Sequence, residues 1–203
     1  MYALVESGTI TKYFSYPKGF TLGDNQYPAD IFMKWSVEEK EAIGIYEVVY
    51  DNSNFKDEKW YINTNQSFAF ADGVVTASYG TATPKAHADV DVIDEDGVAL
   101  LDEKGKQVVT RGLKYNLIQT LKSQVAGILN DTDWYITRNT EKETAIPSAI
   151  STHRDAVRTK QAQMETAIIN AVDTPALETL YTYTEQEDGS VTRPLGELPV
   201  LES

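Results

Sequence analysis

The chain has 203 residues, 41% hydrophobic and 10% aromatic, which is enough apolar material for one ordinary domain or two small ones and excludes wholesale disorder. Its 31 acidic side chains against 18 basic ones leave a net charge of -13, which argues against nucleic acid and against anionic lipid, both of which need clustered Lys and Arg. The absence of cysteine excludes disulfide frameworks, thiol nucleophiles and thiolate metal sites.

Along the chain, residues 1–83 read as a β-rich module. Met1–Glu6 lacks a basic stretch followed by an apolar one, so no signal peptide is expected, and no apolar run approaches the ~18 residues of a membrane span. Tyr2–Val5 and Thr9–Phe14 flank the turn Glu6-Ser7-Gly8 and predict a hairpin. Residues 16–27 hold Pro17, Gly19, Gly23, Asp24 and Asn25 and read as a loop. Ser36-Val37-Glu38-Glu39 is a capping box, so a short helix is expected to follow and to stop at Gly44, with a strand over residues 45–50. Residues 58–70 place Trp60, Ile62, Phe68 and Phe70 at even spacing, on one face of a single strand. Ala71-Asp72-Gly73 then turns the chain and residues 74–79 return, completing a hairpin.

Residues 84–110 read as a polar, acidic connector with one weak hairpin, and as a domain boundary. Residues 111–203 read as a helical hairpin with a short β tail. Leu113, Leu117, Leu121, Val125 and Ile128 form one apolar helix face. Asn130–Asp133 ends that helix and opens a turn at Trp134. Pro147 suits the first turn of a second long helix, whose seam Ile150, Val157, Met164, Ala171 repeats every seven residues. The two helices are expected to pack antiparallel or against copies of themselves. Thr174-Pro175 opens a short helix through Leu180, and residues 185–189 turn a last hairpin. No internal repeat stands out. The fold class expected is α+β.

The search for chemistry finds little. Ser151, His153 and Asp155 sit at i, i+2 and i+4 on one helix, so they cannot converge as a triad, and His153 is expected in solvent or at an interface. His87 lies in the polar connector, and no histidine pair has metal-ligand spacing. The acidic run at 89–97 fits no register of a calcium loop, because Gly and the ligand positions never align. Gly105-Lys106-Gln107 lacks the upstream Gly and following Ser or Thr of a phosphate loop. Twelve tyrosines and three tryptophans could form a sugar platform, but their even strand spacing favours core or interface. No catalytic residue, cofactor site or metal site is expected.

Residues 129–158 read LNDTDWYITRNTEKETAIPSAISTHRDAVR. This run resembles the C-terminal signature of tailed-bacteriophage tail proteins of the tail-fibre assembly or minor tail and baseplate type. The matching positions are Thr132, Asp133, Trp134, Arg138, Pro147, Arg154 and Arg158, and His153 stands where that signature usually has Tyr. Residues 2–11 and 27–46 are similar to the opening hairpin and the next capped element of the same group. The resemblance implies a non-enzymatic structural protein of the tail, a baseplate or fibre-linked virion component made in the host cytoplasm, in several copies and in contact with other tail proteins. Its alternative is a soluble tail-fibre assembly chaperone that is not retained in the virion. In either case Trp134, Arg138, Pro147, Arg154 and Arg158 are the candidate residues. Trp134 and the Ile-Pro turn would lock the corner between the helices. The arginines would pair with Glu141 and Glu143 or with acids on a partner.

Overall fold

The structure is a computed structural model that describes residues 1–201. Helices take up 34% of the chain and strands 25%, an α+β arrangement. Two compact units divide it, Met1–Thr83 and Pro84–Ser203.

The first unit is built on a five-stranded sheet. β1 (Tyr2–Glu6) and β2 (Thr9–Phe14) form the expected hairpin. β3 (Phe20–Leu22) and β4 (Asn25–Tyr27) make a second, short hairpin inside the segment expected as a loop. α1 (Ile31–Lys34) follows, and then α2 (Val37–Ala42). The capping box is formed as read: the Glu39 amide donates to Ser36 Oγ at 3.2 Å, and the Ser36 amide donates to Glu39 Oε2 at 2.8 Å. Gly44 ends the helix at φ +79°, and a Cβ there would collide with the Val5 carbonyl oxygen, which explains the glycine twice over. β5 (Ile45–Asp51) then pairs antiparallel with β1.

The single strand expected over residues 58–70 is broken. Only β6 (Tyr61–Ile62) and β7 (Ser67–Ala71) are extended. The Asn63 side chain brackets the Lys56 backbone, accepting from its amide at 2.9 Å and donating to its carbonyl at 2.8 Å. Thr64 Oγ1 accepts from the Gly80 amide at 2.7 Å. These local bonds compete with strand pairing and bend the chain. The even spacing therefore does not define one face: Trp60 is buried, whereas Ile62 is 59% exposed.

β8 (Val74–Ser78) closes the expected hairpin with β7, but on its other side it runs parallel to β5. The strand order is β2-β1-β5-β8-β7. The sheet curls until its two edges approach, with the rings of Tyr13 on β2 and Phe68 on β7 4.8 Å apart. Strand alternation then sorts the core. Ala3, Val5, Val48, Val75 and Ala77 fill the inside of the curl with Phe68 and Phe70 packed on them. Leu4, Phe14 and Ile45 point outward and are covered by Phe20, Ile31 and Phe32. Phe14 stands 4.9 Å from Phe20 and 5.2 Å from Phe32, ring centre to ring centre, in tilted contacts. The two-residue strand β9 (Thr83–Pro84) lies where the units divide.

In the second unit, residues 84–110 are largely exposed, but they are folded and tied to the helices that follow. The carbonyls of Ala86 and His87 accept the first amides of the following helix at 2.9 Å each, and Asp89 Oδ1 accepts from the Gly112 amide at 2.9 Å. Asp89 also pairs with Arg111, and Thr174 Oγ1 donates to the Lys85 carbonyl at 2.6 Å. Between these anchors lie β10 (Val90–Asp91) and β11 (Val109–Thr110), paired antiparallel. An internal repeat becomes visible here. Asp94-Glu-Asp-Gly97 and Asp102-Glu-Lys-Gly105 are eight residues apart and fold identically. In each turn the Asp Oδ1 accepts two downstream amides, at 2.8–3.0 Å, and the Gly has positive φ.

α3 (Leu113–Asn130) and α5 (Ser148–Asn170) are the expected packed pair, with α4 (Asp133–Lys142) in the connection. The seven-residue seam is buried at Ile150, Val157, Met164 and Ala171. α6 (Thr174–Tyr181) is capped by Asp173, whose Oδ1 accepts the Ala176 amide at 2.7 Å. β12 (Thr184–Glu185) and β13 (Val191–Thr192) form the last hairpin. Leu195 then returns to the core, its amide donating to the Leu180 carbonyl at 3.0 Å.

Candidate functional site

The residues of the tail-protein signature separate into a buried joint and an exposed face. The joint is made by Arg154, on the inner side of α5 between Ile150 and Val157. It is 7% exposed. Its Nη1 donates to the Leu129 carbonyl at 2.8 Å and to Thr132 Oγ1 at 2.6 Å, and its Nη2 donates to Asp133 Oδ1 at 2.8 Å. The cation thus sits on the free carbonyl end of α3 and on the first residue of α4. Thr132, also buried, donates from its hydroxyl to Leu129 at 3.0 Å. One planar fork therefore fixes three elements, α3, α4 and α5, a task suited to arginine rather than lysine.

Trp134 was expected to lock this corner, and it does not. It is 50% exposed, on a helix with no buried residue. The Arg138 guanidinium lies over it, 4.7 Å from the ring centroid and 5.4 Å from that of Tyr135. At i and i+4 these two face each other on one side of α4. Arg138 is thus held by the rings, not by Glu141 or Glu143, and its Nε is a buried atom with no hydrogen-bond partner among the described residues. Ile136 on the same helix is exposed.

Pro147 stands at the start of α5, and its carbonyl accepts from Ile150 and Ser151. Arg158 is solvent-facing and makes a long 3.5 Å pair with Asp155, an exposed contact of little worth. Arg154 and Trp134 are therefore close through Asp133, whereas Pro147 and Arg158 lie along α5 and join no cluster.

His153 was expected in solvent or at an interface, but it is buried. It lines a cavity of about 320 Å³ together with Ile128, Thr132, Leu198 and Val200, so residues 198–201 lie over α3 and α5 there. The Ser151 hydroxyl is turned back toward the Pro147 carbonyl, 3.5 Å away. Among the described residues no group of three or more His, Asp or Glu is arranged to hold a metal ion. The resemblance picked out the position of Arg154 but not its buried role, since an isolated arginine in a helix gives no sign of being buried.

Comparison of the chain with family models, with curated proteins and with solved structures gives no match.

Proposed function

We propose that this chain is a non-enzymatic structural component of a bacteriophage tail, a baseplate or fibre-linked virion protein. The observation that carries the reading is the signature Thr132-Asp133-Trp134, Arg138, Pro147, Arg154, Arg158. Its members do distinct physical work. Thr132, Asp133 and Arg154 build a joint that holds α4 against the helical pair. Trp134 and Arg138 are thereby presented on a helix whose outer side is unfilled. An aromatic side chain braced by a cation is a common anchor in protein interfaces, and contact with another tail protein is its natural use.

A second reading is favoured by the net charge of -13: an assembly chaperone, kept soluble by that charge while it covers a sticky fibre tip and then released. Mass spectrometry of purified particles separates the two. The virion reading expects this chain in the particle at a defined copy number. Its presence in infected-cell lysate together with its absence from particles would refute that reading in favour of the chaperone.

A further inference from the structure

Arg154 has three hydrogen-bond partners, but the residue before it has none. The His153 imidazole, on the second turn of α5, is only 9% exposed and makes no hydrogen bond among the described residues. Buried polar groups are paired as a rule, so an unpaired one points to a partner from outside the chain. The cavity that His153 lines holds about 320 Å³. Ile128, Leu198, Pro199 and Val200 give it apolar walls, and Asp131 and Thr132 are its other polar residues. The Thr132 hydroxyl is already engaged by the Leu129 carbonyl and the Arg154 guanidinium. Two groups therefore remain for a ligand, the His153 imidazole and the Asp131 carboxylate.

Size, charge and access narrow what that ligand is. An apolar cavity of ~150 Å³ takes one benzene, so this one takes about ten to twelve non-hydrogen atoms. A neutral imidazole has one acceptor nitrogen and a carboxylate has only acceptors, so the matching head group is a donor. The charge of Asp131 and the net charge of -13 disfavour an anionic head and favour a cationic one. Residues 198–201 control access. The last firm tie before them is Arg193, which donates to the Gly196 carbonyl at 3.1 Å and to Glu197 Oε2 at 2.8 Å. Beyond it no backbone hydrogen bond is made among the described residues, and Val200 is 85% exposed. That wall is held by side-chain contact alone, so it can lift to admit a ligand and settle on it.

We infer that this cavity binds a small amphiphilic amine, its apolar body against Ile128 and residues 198–200 and its ammonium donating to His153 and Asp131. The site goes beyond the tail-protein reading and stands without it. Thr132 belongs both to the cavity wall and to the Arg154 joint, so occupancy also stabilises the junction of α3, α4 and α5.

The test titrates the full chain with octylamine, octan-1-ol and octanoate, which share one apolar body and differ in the head group. Calorimetry should give one octylamine per chain, bound at least ~10-fold tighter than octanoate, with a melting temperature that rises with octylamine concentration. His153→Phe keeps the bulk of the ring and removes its nitrogens, and should weaken octylamine binding by at least ~10-fold. Asp131→Asn should bring octylamine down to the affinity of octan-1-ol. Should His153→Phe melt early, NMR of the unaltered chain carries the test. Of its two histidines, only His153 should show ring resonances that shift saturably with octylamine, His87 serving as the internal control. Octylamine binding that ignores His153→Phe and leaves the His153 resonances in place would belong to the acidic surface and would overturn the inference. So would tighter binding of octanoate or octan-1-ol, or no saturable binding of any of the three.

Discussion

Replacing Arg154 with alanine should loosen the joint between α3, α4 and α5. Three bonds are lost, to the Leu129 carbonyl, Thr132 Oγ1 and Asp133 Oδ1. Hydrogen bonds to a charged group are worth about 1.5–3 kcal/mol each when judged singly. They do not add, because two of the partners keep other support. The Leu129 carbonyl still accepts from the Thr132 amide and hydroxyl, and Asp133 is 56% exposed and rehydrates. Against the loss stands the desolvation of a buried guanidinium, which the alanine variant no longer carries. The remainder is about 2–4 kcal/mol, much of it lost packing of the arginine stem.

At this size each kcal/mol moves a melting midpoint by ~4 °C, so the transition of the helical unit should fall by about 8–16 °C in scanning calorimetry. Arg154→Lys keeps the charge but cannot span three acceptors, and should recover less than half of the loss. The sharper test is a double-mutant cycle with Thr132→Val, which should show coupling of about 1 kcal/mol or more. If Arg154→Ala melts within 1 °C of the parent, the joint contributes nothing to stability and the division of roles drawn for the signature fails.

Trp134→Ala should cost only about 1 kcal/mol, since the ring is half exposed and gives up mainly its contact with Arg138; a loss near the ~3–5 kcal/mol of a buried aromatic would place the side chain in a core. Gly44→Ala should destabilise the β unit by about 3 kcal/mol, because the residue sits at φ +79° against the Val5 carbonyl, and urea titration of the intact chain would read it. The Asp89 carboxyl is held below its ordinary pKa, first by the Gly112 amide and then by Arg111. The folded state therefore binds that proton less readily than the unfolded chain. Its contribution is full above the unfolded value and is lost as pH falls through the lower folded one. The Gly112 amide resonance should follow this titration with a midpoint below the ordinary aspartate value, and a midpoint at or above that ordinary value would refute the assignment.

The elements governed by local chemistry were legible in the sequence. The capping box at Ser36 and Glu39 needs only neighbouring residues, and the seams of α3 and α5 need only periodicity. What stayed hidden depended on distant partners. The parallel pairing of β5 with β8 leaves no mark on either strand. The break before β7 is made by Asn63 and Thr64 reaching Lys56 and Gly80, which spacing alone cannot show. The segment at residues 90–110 has strands of two residues and no buried side chain, so hydropathy reads it as a linker. Its one sequence mark is Asp-Glu-x-Gly recurring after eight residues, a pattern too short to stand out in so acidic a chain.

The candidate site was legible as a set of positions but not as roles. Sequence reasoning put the tryptophan inside and the arginines outside, following average burial. The structure reverses the pair that matters. Arg154 can be buried because the C-terminus of α3 offers it a carbonyl, Thr132 a hydroxyl and Asp133 a carboxylate, each within hydrogen-bond reach. Trp134 can be exposed because α4 packs no side chain into a core, and the Arg138 guanidinium lies over its ring. A joint made of polar groups holds α4 in place without spending its apolar side chains. Those side chains remain exposed, and a partner that approaches α4 on the side of Trp134 meets that ring together with the Arg138 guanidinium lying over it.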